Sequence, residues 1–172
     1  QRADRLSRLL DDLIAFARTG AVESVLGRFD PAETIPDLFT LVADRTPGFE
    51  LELSGDLDPV VTQSAPLEQV LLNLFGNAIK HHDREAGRVR VAIKQTPSWM
   101  EISVRDDGPG IPSDYRDRVF NMFETLKSRD QTEGSGMGLA IVRKTAEQLG
   151  GQVLLVESTK TRGAEFLIRW PI

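Results

Sequence analysis

Read for apolar and polar positions alone, the chain opens on a helical stripe. In RADRLSRLLDDLIAFAR, residues 2–18, Leu6, Leu10, Leu13 and Ala17 recur at spacings of four, three and four, and Leu9, Ile14 and Phe16 widen the face. Thr19 and Gly20 end it. A helix of this length cannot hide such a stripe by itself, so the pattern predicts a partner helix, in a bundle or a coiled coil. The stretch AVESVLGRF then reads as a linker, residues 21–29. A second helix is expected from Asp30 to about Asp44: Asp30 caps it, Pro31 takes the first helical position, and Glu33 completes a capping-box pattern. Pro47 and Gly48 stop it.

Beyond residue 48 the period changes. FELEL alternates and reads as a strand, and Asp58 to Thr62 reads as a short second one. Ser64 and Pro66 open a long helix that runs to about Lys80. RVRVAIK and MEISVRD alternate again around the turn QTPSW, which predicts a hairpin. DDGPGIP follows, then a polar, irregular stretch through Glu133, then GSGMGL and the helical AIVRKTAEQL, closed by Gly150 and Gly151. QVLLVES and AEFLIRW form a second hairpin around KTRG. This order predicts an α+β fold, one sheet against a few helices.

Composition narrows the class. The 172 residues suffice for one sizeable core and at most a small appendage. With 40% hydrophobic and 27% charged residues, nothing points to disorder or a fibre. A net charge of −5 gives no reason to expect a nucleic-acid surface, so any phosphate must be held locally. The absence of cysteine excludes disulfides, zinc–thiolate sites and thiol catalysis. No apolar run approaches the roughly 20 residues that span a bilayer, and no membrane contact is expected. The chain begins at Gln1 and carries no signal-peptide pattern, which reads as a piece of something longer.

Three stretches carry candidate chemistry. In LEQVLLNLFGNAIK, Leu67, Leu71, Leu74, Phe75, Ala78 and Ile79 share one helical arc, while Asn73, Asn77 and Lys80 stand on the opposite face. A merely solvated face would favour Glu, Lys, Gln or Arg, because Asn competes for backbone hydrogen bonds inside a helix. Two Asn one turn apart, with Lys a turn on, instead offer neutral oxygens to a hard cation and a point charge to a phosphate. Asp106-Asp107-Gly108-Pro109-Gly110-Ile111-Pro112 is readable as a turn, yet two glycines flanking a proline beside a carboxylate exceed what a turn needs. Gly134, Gly136 and Gly138 lack the preceding strand and the spacing of a dinucleotide fingerprint, and no G-x-x-x-x-G-K-[ST] run exists. Glycines at a helix mouth still make an anion cradle.

In combination, N-x-x-x-N-x-x-K, D-x-G-x-G, the segment Val119-Phe120-Asn121-Met122-Phe123, and G-x-G-x-G-L opening a helix resemble the catalytic ATP-binding domain of sensor histidine kinases. That domain shares a superfamily with gyrase, mismatch-repair and chaperone ATPases. The resemblance covers about residues 30–172, and residues 1–20 look like the second helix of the dimerisation and phosphotransfer bundle that precedes it. It implies a two-layer α/β sandwich of the Bergerat type, a mixed, mostly antiparallel sheet on about three helices, with one N-terminal bundle helix. It further implies ATP and Mg²⁺. Asp106 would accept the adenine amino group, Gly108 and Gly110 would let the backbone pass close to the base, and His81 would lie against the adenine. Asn77 would ligate Mg²⁺, with Asn73 and Lys80 completing the phosphate side. Gly134, Gly136 and Gly138, with Met137 and Leu139, would receive the β- and γ-phosphates. Residues 113–133 would form a lid seated by Phe120 and Phe123, with Lys127 or Arg129 reaching the γ-phosphate, although these basic residues also read as solvated loop charges.

Asn73 bears on the reaction. In the hydrolytic relatives the corresponding position is a Glu that activates water, and an amide cannot take a proton. The resemblance therefore implies a kinase: catalysis by positioning and charge neutralisation, with Asn73, Lys80 and Arg129 as the catalytic set. The phosphate would pass to a histidine on an upstream helix absent from this chain and then to a response regulator receiver domain, from a cytoplasmic homodimer. Two departures stand against the family pattern. Glu133 replaces a usual glycine, which the phytochrome-like branch tolerates; KHHD and KSRD also look like that branch. His81 and His82, the only histidines, end the Asn helix and do not match a phosphoacceptor. The alternative is a degenerate nucleotide-binding or dimerisation module that regulates another kinase without catalysis.

Overall fold

The computed structural model describes Ile14, residues 25–122, Glu124, and residues 136–156 and 162–172. Of the first predicted helix only Ile14 is described, in helical conformation. Phe123, Lys127, Arg129 and Gly134 lie outside the described residues, as does most of the predicted lid beyond Met122.

Within the stretch read as a linker, Gly27–Phe29 forms a short strand, β1. Helix α1 spans Pro31–Ala43, with Pro31 in its first turn and the Asp30 side chain accepting from the Ala32 N–H at 3.2 Å. The cap thus works through Ala32, as an N-cap carboxylate does for the second helical residue. β2 is Phe49–Gly55 and β3 is Val60–Thr62. α2 runs from Ser64 to Lys80. β4 (Gly87–Gln95) and β5 (Trp99–Asp106) form the first predicted hairpin. A single 3₁₀ turn covers Ser113–Tyr115. α3 is Gly138–Gln148, and β6 (Gln152–Leu155) with β7 (Glu165–Pro171) makes the second hairpin.

The strands order as β2-β4-β5-β7-β6, parallel only between β2 and β4, while β1 pairs antiparallel with β3 in a separate ribbon. Period-2 alternation buries one face of the sheet: Val89, Val91 and Ile93 of β4, Met100, Ile102 and Val104 of β5, Phe166, Ile168 and Trp170 of β7. The three helices cover that face. All six residues of the α2 apolar arc are buried, and Phe39 of α1 meets Phe75 edge-on at 5.6 Å between ring centres. Each such side chain contributes about 1.5–3 kcal/mol on burial. The opposite face of the sheet carries ion pairs, Arg90 to Glu52 at 2.6 Å among them. The ribbon is tied to the sheet by one buried polar link. Trp170 Nε1 donates to Thr62 Oγ1 at 3.0 Å, and that hydroxyl donates to the Pro171 carbonyl at 2.7 Å. This is the expected two-layer sandwich of a mixed, mostly antiparallel sheet on three helices. Two junctions matter for chemistry: the polar face of α2 against the start of α3, and the end of α2 against the loop after β5.

Candidate nucleotide site

α2 is long enough to serve both junctions. Its apolar arc is pinned to the core, which forces Asn73 and Asn77 to the other side, where they face α3. The Asn73 amide nitrogen donates to the Gln69 carbonyl at 2.9 Å. Only the nitrogen can donate there, so Oδ1 is left pointing outward. A Cβ at Gly138 would stand 3.2 Å from that oxygen and 3.9 Å from both amide atoms of Asn77. Glycine at the first position of α3 therefore keeps open the space between the two helices. Lys80 is exposed in the last turn of α2, and His81 caps it through a bond from its N–H to the Asn77 carbonyl at 3.0 Å.

The mouth of α3 is built for an outside partner. Its N-cap residue is Met137, fully buried, whose side chain makes no capping hydrogen bond, in contrast to Asp30 on α1. The first-turn N–H groups have no acceptor within the helix, and the dipole favours negative charge there. Gly136 turns into the helix with φ +70°. Leu139 packs half-buried against the core, which anchors this first turn. The donor set at the junction fits a metal-bound phosphate chain: neutral amide oxygens for a hard cation, backbone N–H groups for anionic oxygen.

The base side centres on Asp106, the last residue of β5. Its Oδ1 accepts from the N–H of Gly108 at 2.9 Å and of Ala164 at 3.2 Å. Both bonds fall on one oxygen, which leaves Oδ2 for a donor from outside. Burial pushes this carboxyl above its ordinary value; the Gly108 and Ala164 bonds and the His82 charge oppose the rise, and Asp107 adds to it. Asp107 goes the other way. Burial alone would raise it, but the bond from the Arg88 N–H at 2.8 Å and the bond and charge of His82 hold it below its ordinary value. Gly110, at φ +80°, lines a cleft of about 100 Å³ with Pro109, Ile111, Arg116 and Leu155. That cleft is far below the few hundred Å³ of a ligand pocket and is not a nucleotide site on its own.

At the start of the predicted lid, Phe120 lies edge-on to Phe166 at 6.1 Å, with the Arg143 guanidinium 5.5 Å from its ring centre. It is seated on β7 and α3, as an anchor for this segment would be. The structure thus brings Asn73, Asn77, Gly136, Met137, Gly138 and Leu139 together at one junction, and Asp106 and Gly108 with the end of α2 at the other.

Three residues escaped the sequence reading. The His82 side chain is buried and bonds Asp107 through Nε2 at 3.0 Å; Ala164 supplies half of the hold on Asp106 Oδ1; Gly163 lets the β6–β7 turn close over the Asp106 backbone. The second aspartate of DDG was the one available signal, since a lone base-binding carboxylate needs no neighbour.

Residues 62–172 match the family of histidine kinase-, DNA gyrase B- and HSP90-like ATPases. The chain is 34% identical over 143 residues to the adaptive-response sensory kinase SasA of Prochlorococcus marinus, covering 82% of this chain and 38% of that protein. It is 31% identical over 170 residues to the phytochrome-like protein Cph1 of Synechocystis, covering 97% and 22%, and 32% identical over 178 residues to the swarming motility regulation sensor protein RssA of Serratia marcescens, covering 99% and 37%. The chain therefore spans only about a fifth to two-fifths of these relatives. Among solved structures it is similar to full-length ShkA in complex with AMPPNP, with TM-score 0.82, 32% identity and coverage of 98% of this chain and 36% of that one. It is also similar to the mycobacterial sensor histidine kinase MprB, with TM-score 0.72, 31% identity and coverage of 84% and 97%. An asparagine face closed on a glycine-led helix mouth, a half-buried aspartate ending β5 and these likenesses converge: the chain belongs to the histidine kinase-, DNA gyrase B- and HSP90-like ATPase family, and within it to the ATP-binding catalytic domains of sensor histidine kinases.

Proposed function

We propose that this domain binds ATP with Mg²⁺ and drives transfer of the γ-phosphate to a histidine on an upstream helix of the parent protein, for relay to a response regulator aspartate. The observation that carries the reading is the approach of Asn73 to the Gly138 position, 3.2 Å from a Cβ there, where a hydrolytic relative would present a carboxylate. Asn73 cannot take a proton from water, so it holds rather than activates. Asn77 contributes a neutral oxygen toward Mg²⁺, and the metal when bound supplies charge neutralisation on the phosphates. Lys80 completes the positive side of the phosphate site, and the first-turn N–H groups of α3 donate to the anionic oxygens, with Gly134 and Gly136 leading into them. Asp106 Oδ2 accepts the exocyclic amino group of adenine, His81 lies against the ring, and Gly108 and Gly110 let the backbone approach it. Phe120 and Phe123 seat the lid, from which Lys127 or Arg129 reaches the γ-phosphate. In the parent protein the domain works in a cytoplasmic homodimer, with residues 1–20 as part of the dimerisation bundle.

Calorimetric titration with ATP and ADP, with and without Mg²⁺, tests the site. Binding that weakens in Asp106→Asn supports it, and no binding under any condition removes it. Supplying the upstream helix and scoring acid-labile, base-stable phosphorylation tests the chemistry. ATP binding with a persistent blank in that assay would favour a regulatory module.

A further inference from the structure

Asp107, next to the proposed base acceptor, is held from three directions. Its Oδ1 accepts from His82 Nε2 at 3.0 Å and from the Arg88 N–H at 2.8 Å, and its carbonyl accepts from Arg162 Nε at 3.4 Å. Arg162 in turn grips Asp83 through two bonds of 2.6 and 2.8 Å, so the end of α2 and the β6–β7 turn close on the same residue. His82 is the buried member, its side chain only 1% exposed.

The fit around that ring is tight. Phe49 meets it edge-on at 5.2 Å, and a Cβ at Gly87 would stand 2.6 Å from Nε2 and 3.0 Å from Asp107 Oδ1. On the other side a Cβ at Gly108 would stand 3.2 Å from Cδ2. Because a carboxylate only accepts, Nε2 carries the hydrogen there, and Nδ1 faces the Arg84 backbone, 3.1 Å from its nitrogen and 3.3 Å from its carbonyl oxygen. Both ring nitrogens are thus committed, and a buried imidazole with committed nitrogens has one orientation.

We infer that His82 is the positioning residue for base recognition, tying the end of the asparagine helix to the loop that aims Asp106. The inference rests on the reading of Asp106 as the adenine acceptor. Asp106 and Asp107 are consecutive, so Asp107 cannot shift without turning the peptide that orients the Asp106 carboxylate. Adenine offers that carboxylate an amino donor, whereas guanine offers a carbonyl oxygen at the equivalent edge. Rejection of guanine therefore depends on a carboxylate that cannot swing aside, and His82 removes that freedom.

The test is titration of ADP and of GDP into the unsubstituted chain and into His82→Leu, His82→Gln, Asp107→Ala and Asp106→Asn. The unsubstituted chain is expected to prefer ADP. His82→Leu lowers the ADP-to-GDP affinity ratio by about tenfold, the scale of one net hydrogen bond, whereas His82→Gln, which keeps a side-chain N–H, stays within about threefold. Asp107→Ala removes the acceptor from the half-exposed side and lowers the ratio similarly, which keeps the inference testable should His82→Leu not fold. A residue that only supports the fold weakens both nucleotides together; an unchanged ratio in Asp107→Ala and in folded His82→Leu overturns the inference, as does an equal fall in His82→Gln. ADP affinity that ignores Asp106→Asn is a different failure, since it removes the nucleotide reading itself.

Discussion

Gly163 and Asp106 meet backbone to backbone: a Cβ on Gly163 would overlap the Asp106 carbonyl oxygen, and Gly163 itself sits at φ +99°. The neighbouring pair Asp106 and Ala164 exchange two backbone-derived bonds, Asp106 N–H to the Ala164 carbonyl at 3.0 Å and Ala164 N–H to Asp106 Oδ1 at 3.2 Å. The turn after β6 therefore clamps the carboxylate proposed to read the base. Gly163→Ala is expected to cost at least about 1–3 kcal/mol from the left-handed backbone alone, before the overlap is counted. Nucleotide affinity should fall with it, because relief of the overlap displaces one of the two donors to Asp106. Urea unfolding beside ADP titration checks both; a stability loss under about 0.5 kcal/mol, within the range of ordinary surface substitutions, would mean that the turn does not clamp Asp106.

Asp106 should show opposed effects on stability and on binding. Burial holds its carboxyl above the ordinary value, so the stability it contributes is full below the unfolded-chain value and is lost as pH rises through the folded value. At neutral pH the ionised group is a standing cost to the fold. Asp106→Asn keeps an oxygen for the Gly108 and Ala164 N–H groups and removes the charge, so its melting temperature at pH 7 should exceed that of the unsubstituted chain. That advantage should vanish toward acid pH. ADP binding should weaken by about 1.5–3 kcal/mol, the scale of a hydrogen bond to a charged group. A melting temperature that drops at pH 7 would show the charge to be supporting the fold instead.

What could be read in advance follows from what each element depends on. α2 was legible because its whole apolar arc is local in sequence, and the same periodicity placed Asn73 and Asn77 opposite it. The two hairpins were legible from alternation. β1 was not: three residues, of which only Phe29 is buried, carry no usable period, and their pairing with β3 depends on chain brought back by α1 and β2. His82 was opaque for a related reason. Two adjacent histidines at a helix end have no informative spacing, and Asp107 becomes its neighbour only after the β4–β5 hairpin has folded. Likewise KTRG read as an ordinary turn, because the contact of Gly163 with Asp106 requires the pairing of β5 with β7.

Gly138 offers a cleaner separation of site from scaffold. It is the first residue of α3, with no positive φ, so alanine there satisfies the helix better than glycine does, by about 0.5–1 kcal/mol. The added methyl nevertheless stands 3.2 Å from Asn73 Oδ1, in the gap between the asparagine face and the helix mouth. Gly138→Ala is expected to leave thermal stability equal or slightly raised while weakening ATP binding by about tenfold, the loss of one good charge-assisted contact. Circular-dichroism melts and ATP titration on the same sample decide it. Undiminished ATP affinity would place the phosphates elsewhere than this gap.

Asn77 should matter to the metal more than to the nucleotide. Its amide faces the mouth of α3 beside Asn73, while its backbone carbonyl takes the capping N–H of His81, a bond that alanine preserves. Asn77→Ala therefore removes one neutral oxygen from the site without uncapping α2. Alanine is also the better interior helix residue, so the variant should fold at least as well. The expected result is ADP affinity in the presence of a chelator within about threefold of the unsubstituted chain, against a loss of about tenfold or more in the gain that Mg²⁺ confers, since a hard cation that loses a neutral oxygen ligand must take water in its place. Titrating ADP with and without Mg²⁺ into both proteins gives the four affinities needed. Equal losses in the two conditions would assign Asn77 to holding the nucleotide or the fold, and would leave Asn73 and Lys80 to be tested as the metal-side and phosphate-side groups in its place.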